Sequence, residues 1–245
     1  MNLRLLLIFP SLFFSLDSLL ARSAENPIFR FRDGLVFSAG ITRSRFLNGS
    51  GTGSGFYSGQ RAFSWGIAYQ NTRSLSRGVG FSYGFLVSDL TSDAEIDGPF
   101  VYTTQADVPI THSFTSGRKK SQVLFVGLGA QFLFYLNPGS SNRFFLSPGA
   151  MVRTPLYTRT RVSGIRDGSR EPVSVTDPFL NDNSPFLFIS PELAFGYERR
   201  FGEKRMLRTE AVVSILERGR FRKDILIEQQ AFIGLRIQYY FRSSL

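Results

Sequence analysis

Charged and carboxamide side chains recur at even intervals through the last third of this chain. Glu192, Glu198 and Arg200 form one set, Arg208 and Glu210 a second, and Glu228, Gln230 and Arg236 a third. An extended backbone turns successive side chains to opposite faces, so each set shares one face. Arg153 and Gln131 stand in the same relation to their own neighbours. The signs are mixed, and the first chemistry open to such faces is pairing of guanidinium with carboxylate across a narrow gap. A continuous polar file could instead pass small solutes. Glu192 with Glu210 could in principle serve as an acid and base pair.

Other reactive constellations are sparse. The single histidine, His112, lies between Thr111 and Ser113 and shares the parity of Val108 and Ile110, which points it to an outer or rim surface. One histidine and no cysteine supply no zinc ligand set, and no glycine loop of phosphate-cradling pattern occurs. The residues therefore read as non-catalytic, with neither metal nor cofactor. A hydrolase, acyltransferase or protease is the third-ranked reading.

Long strands would hold these residues on one face. From Ile225 to Phe241 the odd positions Ile227, Ala231, Ile233, Leu235, Ile237, Tyr239 and Phe241 are apolar or aromatic, while Glu228, Gln230, Arg236 and Gln238 are polar. That length exceeds an ordinary globular strand and fits a tilted membrane-crossing one. The alternation recurs at 35–46, 62–70, 78–88, 122–136, 143–157, 186–200 and 207–217, with a weaker candidate at 100–114. Large outward residues such as Phe37, Trp65 and Phe85 oppose Ser38, Gly66 and Gly84, as a narrow barrel interior requires.

Residues 1–23 have the form of a cleaved secretory signal peptide, leaving 24–245 as one domain. Arg4 precedes the apolar stretch Leu5–Leu20, and Ala21-Arg22-Ser23 offers a small-residue cleavage site. A retained helical anchor is disfavoured, because the stretch is short and carries Asp17. The formal charge of the chain is +10. Basic residues gather in what read as connections: Arg118, Lys119 and Lys120; Arg159, Arg161, Arg166 and Arg170; Arg218, Arg220, Arg222 and Lys223. Nucleic acid is not the expected partner of an exported chain with lipid-facing strands. Lipopolysaccharide or host polyanions fit better, because exposed cations suffice; simple solvation of the connections is the bland alternative. The mean hydropathy of −0.04 is what half-apolar strands produce.

These strands number nine, and single-chain bacterial barrels close with an even number. A tenth is expected around Pro172–Thr176. A short first strand at Ile28–Arg32, or failure of 100–114 to cross, would also restore parity. Asn137–Asn142, Ser116-Gly117-Arg118 and Phe201–Lys204 read as turns, and the Gly/Ser run 49–55 as a loop. Parity at the two ends puts 47–58 and 218–224 outside the cell, and 71–77 and 201–206 in the periplasm.

Two short motifs carry a family resemblance. Ala106-Asp107-Val108-Pro109-Ile110 resembles a strand common in small outer-membrane-protein β-barrel domains, and Gly234–Phe241 resembles their closing strand. The resemblance implies an all-β fold: a closed, antiparallel, up-and-down transmembrane barrel of eight to ten strands, ten being expected. It also implies a Gram-negative outer-membrane location, outer-membrane lipid as surroundings, and insertion by the barrel assembly machinery. It transfers no activity. Combined with the residues, the expected role is structural or surface-interacting. The lumen would be filled by Arg153, Glu192, Glu198, Arg200, Arg208, Glu210, Glu228, Gln230 and Arg236. A narrow channel is the alternative.

Overall fold

The computed structural model describes residues 32–46, 56–76, 78–104, 110–138, 140–168, 172–180, 187–201, 205–217 and 227–241. The expected leader 1–23, the loop 49–55, the strand motif 106–109 and the cations Arg170, Arg218, Arg220, Arg222 and Lys223 lie outside the described residues. So do the side chains of Glu228 and Gln230, although their backbone is strand.

Ten strands form: β1 (Arg32–Phe46), β2 (Phe56–Ser74), β3 (Val79–Asp97), β4 (Phe100–Thr103), β5 (Thr111–Tyr135), β6 (Asn142–Arg166), β7 (Pro172–Leu180), β8 (Phe188–Phe201), β9 (Arg205–Glu217) and β10 (Ile227–Phe241). Every pairing is antiparallel. β1 pairs with both β2 and β10, Phe37 standing opposite Ile67 on one side and Ile237 on the other. The order β1-β2-β3-β5-β6-β8-β9-β10 returns to β1, and the wall is closed.

The expected strand near Pro172–Thr176 is β7. It and β4 lengthen the wall without widening it. β4 follows β3 along one edge of β5: Ile96 pairs with Gly117 and then Phe100 with Phe114. Between them Gly98, at φ 93°, and Pro99 interrupt the ladder, since proline brings no N–H and glycine accepts the left-handed turn. β7 and β8 share one edge of β6 in the same way. Eight staves thus close the ring, and the candidate strand 100–114 divides between β4 and the start of β5.

Ser116-Gly117-Arg118 is not a turn. It lies inside β5, after a bulge between Phe114 and Ser116. Gly117 and Gly164 face one another across β5 and β6, where a Cβ on either would strike the neighbouring backbone. Close strand approach, not chain reversal, is the reason for glycine there. Leu156 is the extra residue of a second bulge, where Leu124 pairs with Tyr157 and Phe125 with Pro155.

An apolar belt surrounds the ring. Leu35, Phe63, Leu193, Ile233 and Leu235 are all more than half exposed, Leu235 at 67%. In water such a surface would be costly; in hydrocarbon it is the stable arrangement. β5 and β6 are 25 residues each, roughly 80 Å at about 3.3 Å per residue. A crossing needs only about 9–11 residues, so these strands continue well past the belt. There, the ends of β2 and β3 join β4, β5, β6 and β7 in a sheet extension. Ile96, Phe100, Phe114 and Val162 are buried on its inner face, with Tyr102 and Val175 packed on them. The Phe100 and Phe114 rings stack at 4.9 Å. Short connections such as 75–78 lie at the opposite end, together with the outer ends of β1 and β10, which makes that end periplasmic by the usual barrel rule.

Candidate functional site

The inward faces of β6, β8, β9 and β10 carry two layers of charge. Nearer the periplasmic end, Glu198 on β8 accepts from two guanidinium groups, Arg143 on β6 and Arg208 on β9, the latter at 2.9 Å. All three side chains are essentially inaccessible. Aromatic rings close round them: Arg143 lies 3.8 Å from the Tyr135 ring centroid and Arg208 lies 4.8 Å from that of Tyr240. Tyr135 donates its hydroxyl to Glu198 at 3.0 Å, and Arg208 donates to Gln238 and to the Tyr240 hydroxyl. Tyr240 also donates to Gln70 of β2, carrying the network across the bore. Gly196 makes room here, since a Cβ would collide with the Phe145 ring.

The second layer lies farther in and reverses the stoichiometry. One guanidinium, Arg236 on β10, donates to two carboxylates, Glu192 on β8 at 2.6 Å and Glu210 on β9 at 2.9 Å. It also donates to Gln131 of β5 at 3.2 Å, on the opposite side of the ring. Arg153 is buried beside this layer, where its Nη2 meets the Met151 sulfur at 2.9 Å. A cavity of about 50 Å³ remains, bordered by Val36, Leu86, Arg153, Glu192 and Arg236 among others.

Arg153, Glu192, Glu198, Arg208, Glu210 and Arg236 therefore lie together in the bore, and Arg200 lies at the edge, 3.6 Å from Glu198. Gln238, already on the polar face of the last strand, and Gln70 join them; Arg143, Tyr135 and Tyr240 belong with them and were not singled out from sequence. Arg143 shares the inward parity of Ser147 and Arg153, so the signal was present at the very start of β6. The bore is also less hydrophilic than the sequence suggests. Leu133, Phe145, Met206 and Val212 are fully buried in it.

The cations assigned to connections at 118–120 and 159–161 are strand residues. Arg118 and Lys120 of β5, and Arg159 and Arg161 of β6, project outward and are exposed, just beyond the belt. Arg118 grips Asp93 of β3 through two bonds of 2.7 and 2.6 Å, which holds its guanidinium above its ordinary pKa. Lys119 turns the other way, its ammonium 5.6 Å from the Tyr102 ring, and burial pushes its pKa down. His112 lies at the far end of β5 opposite Tyr102, on the face of Phe114 and not towards lipid. Among the described residues no group of three or more metal-ligating side chains comes together.

A closed antiparallel wall, an apolar belt and an ion-paired interior define a closed β-barrel of the membrane-spanning type. No family model and no curated protein matches the chain. Solved structures that align with it include OprG of Pseudomonas aeruginosa, at 11% identity and a TM-score of 0.35, covering 89% of this chain and 100% of that one. The N-terminal barrel domain of OprF from the same organism aligns at 10% identity, with 86% and 100% covered and a TM-score of 0.30. Ail, the attachment invasion locus protein of Yersinia pestis, aligns at 9% identity, with 84% and 97% covered and a TM-score of 0.29. At these distances none of them speaks to an activity.

Proposed function

We propose that this barrel has a structural or surface-interaction role, with a lumen closed by buried charge and extracellular cations that engage lipopolysaccharide or acidic polysaccharide. The supporting observation is the pair of ion layers. Each ties several staves together across the bore, through Glu198 in one and Arg236 in the other. Opening a path would separate buried partners at a cost of roughly 3–5 kcal/mol for each pair broken. The cavity beside them has space for a handful of water molecules, not for a file of solutes. Glu192 and Glu210 are both engaged by Arg236, an arrangement suited to bracing and poorly suited to acid–base turnover.

In this reading the segment 1–23 directs export, the assembly machinery inserts the barrel, and the surrounding lipid is the permanent partner. Purified protein in planar bilayers should show no discrete conductance steps. Regular openings would select the narrow-channel alternative.

A further inference from the structure

The outer face of the β5–β6 hairpin carries a feature that filling the lumen does not explain. Lys120 and Arg161 stand directly opposite one another on adjacent strands, and both are exposed. Like charges so placed, about 5 Å apart, destabilise a sheet. Arg159 lies one outward position below Arg161, and Arg118 one above Lys120, about 7 Å along each strand. Four cations therefore share one block of wall.

The described acids beside it have other partners than Lys120, Arg159 and Arg161: Glu95, opposite Arg118, accepts from Gln60 at 3.1 Å. Asp93, opposite Lys120, is held through both oxygens by Arg118. Asp89 accepts from Gln122 at 2.5 Å. On β7, beside the block, Ser174 and Thr176 are exposed, and Arg161 donates to the Ser174 hydroxyl at 3.0 Å. Among the described residues, Lys120 and Arg159 form no ion pair.

Height decides what could. Immediately below the block on the same strands come Leu124, Val126 and Val152, with Tyr157 beneath Arg159, and these face hydrocarbon. The cations point sideways from the wall at the level where headgroups lie, and do not rise from a loop tip. Guanidinium pairs bind phosphate in a bidentate fork, and lysine adds a point charge.

We infer that Lys120, Arg159 and Arg161, with the Ser174 hydroxyl, form a lateral binding site for the phosphate of an outer-leaflet glycolipid headgroup, as in lipid A. This rests on the barrel reading above and narrows its polyanion to one that arrives through the membrane plane.

The test uses full-chain protein in phosphatidylcholine nanodiscs containing a small fraction of dansyl-labelled diphosphoryl lipid A. The sole tryptophan, Trp65, faces outward on β2 and is the energy donor. Wild type should enrich labelled lipid A at least fivefold over labelled phosphatidylcholine. The K120Q/R159Q/R161Q variant should lose that enrichment, while a variant of exposed cations at the opposite rim, R199Q/R205Q, keeps it. Equal enrichment in wild type and the triple variant, or equal loss in both variants, overturns the site. Should the triple variant fail the heated-against-unheated gel test of barrel folding, unaltered protein with dephosphorylated lipid A replaces it: enrichment must fall several-fold, and unchanged enrichment overturns the proposal. Added heparin should leave the lipid signal in place. Displacement by heparin would assign the block to soluble polyanions, refuting the lateral site but not the broader reading. Failure of heparin to bind anywhere, with lipid enrichment intact, would do the reverse.

Discussion

The β5–β6 hairpin is one pair of strands in two media, and its sidedness reverses between them. Within the belt, Leu124, Val126 and Leu128 point out while Gln131 and Arg153 point in. Beyond it, Lys120, Arg159 and Arg161 point out while Phe114 and Val162 point in. The backbone alternation continues through both halves, adjusted by bulges at Phe114/Ser116 and Leu124/Phe125. What changes is the medium against the outer face. Hydrocarbon outside leaves the interior to collect the polar groups, which must then satisfy one another. Water and headgroups outside let the inner face become an ordinary small apolar core.

Three substitutions sharpen that contrast. The largest effect is expected from Glu198→Ala, which strands Arg143 and Arg208 in the bore without a carboxylate. Global unfolding in detergent should become easier by roughly 3–5 kcal/mol, read from denaturant titration followed by the heat-sensitive gel shift. A loss below about 1 kcal/mol would mean that the layer is hydrated and open.

Phe114→Ala acts in the other half. It removes a ring from the extension core, a change that in packed interiors costs about 3 kcal/mol or somewhat more. Because the extension stands above the ring, the cost should fall on local opening. Hydrogen exchange should quicken at 96–103, 111–118 and 160–166, with the belt unchanged; uniform acceleration would show the two halves to be one cooperative unit.

The smallest of the three is Leu128→Arg, a charge moved from the rim into the belt on the same strand. Depending on its depth it should destabilise by about 2–3 kcal/mol, measured by the same denaturant titration. A neutral result would place the belt boundary lower than the exposed apolar residues suggest.

The alternation made the barrel legible, and it also located most of the interior charge. Glu192, Glu198, Arg208, Glu210 and Arg236 were assigned inward by parity alone, and they meet there. Arg143 escaped because it stands at the margin of its strand pattern, beside a turn. The extension was harder to see. Arg118-Lys119-Lys120 read as a connection because the outer face turns polar there, and a polar stretch with glycine looks like a loop when hydrocarbon is assumed outside.

Period-two patterning is a local property of an extended backbone, so the amino-acid order alone determined that strands form and which side chains share a face. Parity names two faces without naming what each one touches. Closure of β1 onto β10, the joining of β4 to β3 and of β7 to β8 along shared edges, and the height at which the belt stops depend on contacts between distant segments. Only the assembled wall decided those, and with them which cations became an inner brace and which an outer rim.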